Sequence, residues 1–341
     1  ALDTNDAPHI SYYSYNSDTN EQALKYAYRD DAGWQTEAIG DVGTHTSLVL
    51  DDDGKPHLSY QDMTGSLMYA YRDTDGWLTQ TVHLCTTYWP HPTALALDSD
   101  GAPHIGYIAG TELRYAHRGA TDWYSRTLDN QVGLDGLSLA LDNDDYVHIS
   151  YDDGGALAYA YQNASGWHTP TLDGEGAVGA YPSLALDAAT GYARISYYED
   201  VYQDGNLKYI YQDVSGWHTQ TLDSEGDVGE YTSLGLDRVG YAHIAYYDAG
   251  NKHLKYAYQD ASGWHTRTVR PESTGYVGLY TSLVLDEQGY AHISYHDRSK
   301  RDLRYAYRDI SGWHSQIVDS HGDVGLDTSL ALDGDGYPHI S

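Results

Sequence analysis

The chain has 341 residues, 40% of them hydrophobic, and a formal charge of −31 from 50 acidic and 19 basic residues. That balance excludes nucleic acid and anionic membrane surfaces as partners, because both are held by patches of Lys and Arg. No apolar run reaches the 18 or so residues of a membrane span, which argues against membrane insertion, and the single cysteine, Cys85, excludes an intramolecular disulfide framework.

In chain order, a repeat is visible from the first residues. Ala1-Leu2-Asp3 reads as a truncated copy of S-L-A-L-D, as expected if a leader was removed or a larger protein trimmed. Further copies end at Asp51, Asp98, Asp142, Asp187, Asp237, Asp286 and Asp333, spaced 44 to 50 residues apart. A G-W element keeps step at Trp34, Trp77, Trp123, Trp167, Trp217, Trp264 and Trp313. Phe is absent while Tyr reaches 36, the bias expected from multiplication of a founder unit that lacked Phe. Most of the acidic residues are Asp at the turns of the repeat, so turn chemistry accounts for much of the charge.

Each unit holds four short stretches rich in aromatic, β-branched or alternating apolar residues, bounded by Gly, Asp, Asn or Pro; in the sixth they are 233–237, 243–247, 254–258 and 264–269. Four strands repeated seven times predict an all-β fold, a seven-bladed β-propeller of four-stranded antiparallel blades, with two surplus C-terminal strands. The chain reads as one domain, 1–341, with blades at about 1–46, 47–93, 94–137, 138–182, 183–232, 233–281 and 282–328 and the surplus strands at 329–341. In the third strand Leu254, Tyr256 and Tyr258 alternate with Lys255 and Ala257, so large side chains line one face and Ala the other, a pattern that blade-on-blade stacking buries.

Units such as S-L-A-L-D-S-D-G-x-P-H-I-S-Y-Y-D, L-K-Y-A-Y and S-G-W resemble propeller repeats of prokaryotic cell-surface and extracellular proteins, and more distantly NHL- and BNR-like blades. The resemblance covers the whole chain and speaks for fold more than function. If the strand order is that of NHL-type blades, the S-L-A-L-D strand is innermost. The loop after S-Y-Y-D and the G-D-V-G-x-Y-T-S crossover then share one face, and the D-x-D-G and S-G-W turns the other.

Several positions invite a chemical reading. The His of P-H-I-S recurs at His9, His57, His104, His148, His243, His292 and His339, with Arg194 replacing it once; its alternation with Ser and Tyr favours hydrogen bonding in or between blades over metal binding. The Asp pairs Asp51 with Asp53 and Asp98 with Asp100 offer a weak calcium motif lacking the longer Asp run and distal Glu of a loop site; ordinary Asp/Gly turns are favoured, and neither metal nor cofactor is expected. Tyr181, Tyr231 and Tyr280 in the crossovers, with Asp200, Asp248 and Asp297 at the ends of second strands, suit a sugar's apolar face and hydroxyl rim, against the plainer reading of wedged rings and turn caps. The repeat breaks at His83–Thr93, bringing Cys85, Tyr88, Trp89 and His91 together as a ligand platform, a metal site with His83, or a repacked loop. No paired carboxylates, nucleophile with base, or Arg cluster is visible, since Arg29, Arg72, Arg304 and Arg308 fall in the third strand and its exit.

The surplus strands duplicate the motifs of residues 1–13. Leu330, Leu332, His339 and Ile340 either take the place of Leu2, His9 and Ile10 in the first blade or insert into a neighbouring molecule, giving head-to-tail assembly; a cut from a longer array is the plain alternative. The reading is a non-catalytic structural or adhesive propeller, extracellular or on the cell surface, whose partner is itself, as homo-oligomer or filament, or surface glycans. A multivalent lectin is the alternative, and a polysaccharide lyase or glycosidase the second.

Overall fold

The computed structural model describes all residues except 17–20, 41, 86–89, 135, 175, 201–203 and 270–274. The fold class is the expected one: all-β, a seven-bladed β-propeller of four-stranded antiparallel blades with two further C-terminal strands. Among the described residues no helix is long and apolar enough to cross a membrane.

Each sheet is a meander in chain order. The sixth blade is typical, with Val228–Leu236, Ala242–Asp248, His253–Asp260 and Gly263–Thr268 paired antiparallel in turn. The first blade has three strands, His9–Asn16, Glu21–Asp30 and Gly33–Ala38, and a single bridge between Leu2 and Pro8 stands where the others have a first strand. Residues 9–16 therefore hold the second-strand place of their own blade, paired to 21–28. In the fourth sheet the last strand is split into Gly166–His168 and Thr171–Asp173, with Pro170 between, a residue that cannot donate to a ladder.

The described residues form two compact units, Ala1–Ile149 with Tyr159–Thr169, and Ser150–Ala158 with Pro170–Ser341. In both, consecutive blades pack through the alternation of the third strand. In the first unit Tyr26 of one blade meets Ala70 of the next, and Tyr69 meets Ala116; in the second unit Tyr209 meets Ala257, and Tyr256 meets Ala306. Large against small lets neighbouring sheets approach closely, and each buried ring contributes about 1.5–3 kcal/mol from lost apolar exposure. The G-W indole of the following blade closes over the same tyrosine edge-on, with Tyr26–Trp77 and Tyr69–Trp123 centroids 5.0 Å apart and Tyr256–Trp313 5.1 Å.

First strands of successive blades are tied directly. Ser183 Oγ accepts from Leu234 N and Ser233 Oγ from Leu283 N, each at 3.0 Å. Leu330 N donates to Ser282 Oγ in the same way, at 3.1 Å. The C-terminal pair, Leu330–Leu332 with Pro338–Ile340, thus follows the seventh blade as the first two strands of a further one.

Candidate functional site

On the face carrying the D-x-D-G turns, the recurring residues are absorbed by the framework. Asp51 Oδ1 accepts the amides of Asp53 (3.0 Å) and Lys55 (2.8 Å), and Asp98 Oδ1 those of Asp100 (3.0 Å) and Ala102 (2.7 Å), which fixes each turn. The other carboxylate oxygen faces the P-H-I-S imidazole, 3.4 Å from His57 and 3.1 Å from His104. The second imidazole nitrogen meets a buried third-strand tyrosine in the pairs His9–Tyr26, His57–Tyr69, His104–Tyr115, His148–Tyr159, His243–Tyr256 and His292–Tyr305. In six of the seven blades the histidine thus lies between a turn Asp and a third-strand Tyr, engaged within its own sheet, and Arg194 takes its place in the fifth. Among the described residues no group of three or more His, Cys, Asp or Glu is placed to hold a metal ion.

The opposite loops are shaped by the crossover sequence. In the sixth blade the ladder between first and second strands slips between Val228 and Glu230 and again between Glu230 and Ser233, throwing Tyr231 out of register. Gly229 makes the first slip possible: its φ is +114°, and a Cβ there would lie 2.8 Å from the Leu207 Cα of the preceding blade. Tyr231 itself has φ +54°, as Tyr181 (+51°) and Tyr280 (+53°) do in their blades. Such a conformation is unfavourable for a bulky L residue, costing of order 1–3 kcal/mol, and the neighbouring blade restrains it. Thr232 Oγ1 donates to the Tyr181 carbonyl at 2.9 Å and Thr281 Oγ1 to the Tyr231 carbonyl at 2.6 Å.

The result is a continuous row of half-buried rings in the second unit, with Tyr181–Tyr231 centroids 4.5 Å apart and Tyr231–Tyr280 4.7 Å. Burial and the flanking Tyr181 and Tyr280 raise the Tyr231 phenol well above its ordinary value, so it keeps its proton. Thr232, Thr281, Asp327 and Thr328 border the row around a shallow cleft of about 310 Å³. The sequence named the three tyrosines but not these polar neighbours, although the T-S that follows Tyr231, Tyr280 and Asp327 was a signal.

The carboxylates expected beside the row are placed differently. Asp248 is buried, accepting from Asn251 N at 2.7 Å with Lys255 Nζ at 3.8 Å. Asp297 is buried too, accepting from Lys300 N at 3.1 Å and Arg304 Nε at 2.7 Å. Asp200 is exposed at the end of Ala193–Asp200. At the repeat break, Tyr88 and Trp89 lie outside the described residues. His91 N donates to Gln61 Oε1 at 2.6 Å, Cys85 N donates to Ser66 Oγ at 3.1 Å, and the His83 Nδ1 is buried without a hydrogen-bond partner.

A second cleft, of about 470 Å³, adjoins the row in the seventh blade and is lined by Tyr231, Tyr280, His296, Arg298, Arg301 and Asp323 over Leu279 and Leu326. The sequence reading passed over it, although S-Y-H-D-R-S-K-R departs from the S-Y-Y-D copies in both its His and its run of basic residues.

The sequence matches no family model and no curated protein sequence. Among solved structures the chain is similar to an ulvan lyase (12% identity, 83% of this chain and 84% of that one, TM-score 0.54). It is similar also to a lectin of Aleuria aurantia in complex with Fucα1-6GlcNAc (12%, 82% and 97%, 0.52). A periplasmic gluconolactonase of Pseudomonas aeruginosa aligns over 94% of this chain and 96% of its own (15%, 0.52). At these identities the likeness is one of fold, and it establishes the β-propeller class without a family.

Proposed function

We propose that the protein is a carbohydrate-binding propeller whose ligands lie along the crossover tyrosines. The observation that carries this is the row Tyr181, Tyr231 and Tyr280, three contiguous rings held in left-handed backbone conformations and bordered by hydroxyls. Aromatic faces pack on the C–H face of a pyranose while Thr hydroxyls and Asp327 meet its rim, the usual division of a small-molecule site into apolar area and a few polar anchors. Several weak sites repeated from blade to blade gain through multivalency. Fold neighbours named as a lectin with a fucosyl disaccharide, an ulvan lyase and a gluconolactonase support a sugar-like ligand. The reading is of binding without chemistry, because the nearby carboxylates of Asp248 and Asp297 are taken up by Lys255, Arg304 and turn amides. It places the protein outside the cell or on its surface, where polymeric glycans occur.

Glycan-array screening followed by calorimetry tests the reading. Tyr231→Ala should weaken any glycan found by tenfold or more, and a chain that binds no glycan on the array defeats the proposal. A second reading, head-to-tail assembly, takes its support from the C-terminal pair, Leu330–Leu332 with Pro338–Ile340, which stands beyond the seven blades as the start of a further sheet. Light scattering that finds only monomer at high concentration removes it.

A further inference from the structure

We propose that the cleft of the seventh blade binds a uronic-acid residue of an acidic saccharide, its carboxylate held by Arg298 and Arg301 with His296 and its ring carried by Tyr280. This deepens the carbohydrate reading and rests on it.

The first observation is His296. Its side chain is 3% exposed and lines the cleft, yet neither ring nitrogen has a hydrogen-bond partner. The nearest acid, Asp323 Oδ1, stands 3.4 Å from Nε2 without hydrogen-bond alignment. A buried polar group left unsatisfied is costly, and a ligand oxygen at the ring would offset that cost. The Tyr280 ring lies 6.2 Å away, and Tyr231 adjoins it at 4.7 Å, so the imidazole opens beside the end of the aromatic row.

The second observation is charge. Lys255 and Arg304 are buried against carboxylates at 2.5 and 2.7 Å, as expected of cations in a chain of net charge −31. Arg298 and Arg301 differ. Arg298 is exposed, rests over the Tyr276 ring at 5.8 Å, and makes no ion pair among the described residues. Arg301 reaches Asp323 only at 3.9 Å and has φ +61°, its backbone N–H donating a hydrogen bond to the Asp297 carbonyl at 2.7 Å. Two guanidiniums against one half-exposed carboxylate leave the cleft locally positive, and guanidinium planes match carboxylates in paired hydrogen bonds. The volume, about 470 Å³, falls in the range of roughly 300–1,000 Å³ typical of small-ligand sites. A neutral sugar would use the ring faces and leave the charge unanswered; a free anion would leave the aromatic floor bare.

The test is calorimetry on the full chain with trigalacturonate, galactotriose and a sulfated galactotriose at low and high salt. Trigalacturonate should bind about tenfold tighter than galactotriose, the worth of one good charge-assisted contact. Arg298→Ala/Arg301→Ala should erase that preference, and salt should weaken it, because both guanidiniums are exposed. Arg238→Ala, an exposed cation paired with Glu287 on the other loops, should keep it, and melting curves confirm that the variants are folded. Equal affinity for the acidic and neutral trimers, or acidic binding untouched by the double substitution, overturns the inference while neutral binding sensitive to Tyr181→Ala preserves the carbohydrate reading. Equal binding of the sulfated trimer overturns the carboxylate assignment, and no binding of any saccharide, these trimers and the array glycans included, defeats both proposals.

Discussion

Replacing Tyr256 by Phe removes one oxygen and nothing else, and the repeat supplies its own control. Tyr256 is fully buried, its ring against Trp313 and its hydroxyl on the His243 Nδ1. Phenylalanine keeps the ring and strands that nitrogen, so the expected cost is about 1–3 kcal/mol, the penalty of an unsatisfied buried polar atom. Tyr209 holds the corresponding place one blade earlier, buried against Trp264 at 4.9 Å, but Arg194 stands where its histidine would be and turns Nη1 to the Gln212 carbonyl. Tyr209→Phe should therefore cost well under that, about 0–1 kcal/mol, as shape-conserving swaps do. Urea unfolding followed by tryptophan fluorescence measures both. Equal losses, or a neutral Tyr256→Phe, would refute the view that the Asp–His–Tyr chains stabilise the blades through the hydroxyl. The same chains give a physical reason why Phe is disfavoured at six of these third-strand positions.

The protonation of those histidines makes stability pH-dependent: burial lowers the pKa of His9, His57, His148, His243 and His292, outweighing the nearby Asp. Below the unfolded value of about 6.5 the unfolded chain takes up protons that the native one refuses, so stability present above that pH falls as pH drops toward the lowered native values, by up to about 1.4 kcal/mol per pH unit for each group; urea midpoints unchanged between pH 7.5 and 5.5 would contradict this. Gly278→Ala should destabilise more than Gly263→Ala, since both have φ near +116° but only at Gly278 would a Cβ meet backbone, 2.7 Å from the Leu254 Cα; equal urea midpoints would remove the steric account. Lys255→Met should cost about 3–5 kcal/mol by leaving Asp223 and Asp248 buried without their cation, and adding Asp223→Asn should restore part of it, as Met68 fills the same third-strand place in the second blade; no recovery in the double variant would count against the charge argument.

The blade was legible because its determinants are local and periodic. Alternation in L-K-Y-A-Y assigned Tyr256 and Ala257 to opposite faces, and the packing of Tyr256 on Ala306 and of Ala257 on Tyr209 follows from it. The loops were less legible because their partners come from other blades. The sequence placed Asp248 at a strand end. Whether its carboxylate faced solvent or protein depended on Lys255, which also takes Asp223 of the preceding blade at 2.5 Å. Tyr231 was singled out by its motif, but its exposure as a platform depends on two register slips and on a threonine fifty residues later, Thr281, holding its carbonyl.

One position concentrates that difference between framework and site. The residue after the buried tyrosine of the second strand is Gln61 in the second blade, Tyr198 in the fifth, Tyr247 in the sixth and His296 in the seventh. Gln61 bridges to the Ile108 carbonyl and the His91 amide, both at 2.6 Å, and so anchors the irregular loop of the second blade. Tyr198 donates to Asp227 at 2.7 Å, whereas the Tyr247 hydroxyl and both His296 nitrogens are buried without hydrogen bonds. Packing does not require these differences, since the preceding tyrosines, Tyr60, Tyr197, Tyr246 and Tyr295, are buried alike in all four blades. A buried polar atom without a partner is costly in any blade, and a repeat could remove it by copying a satisfied neighbour. Its retention beside Tyr280 and two loosely neutralised arginines is what a ligand site in the seventh blade would look like, with the ligand as the hydrogen-bond partner of the imidazole.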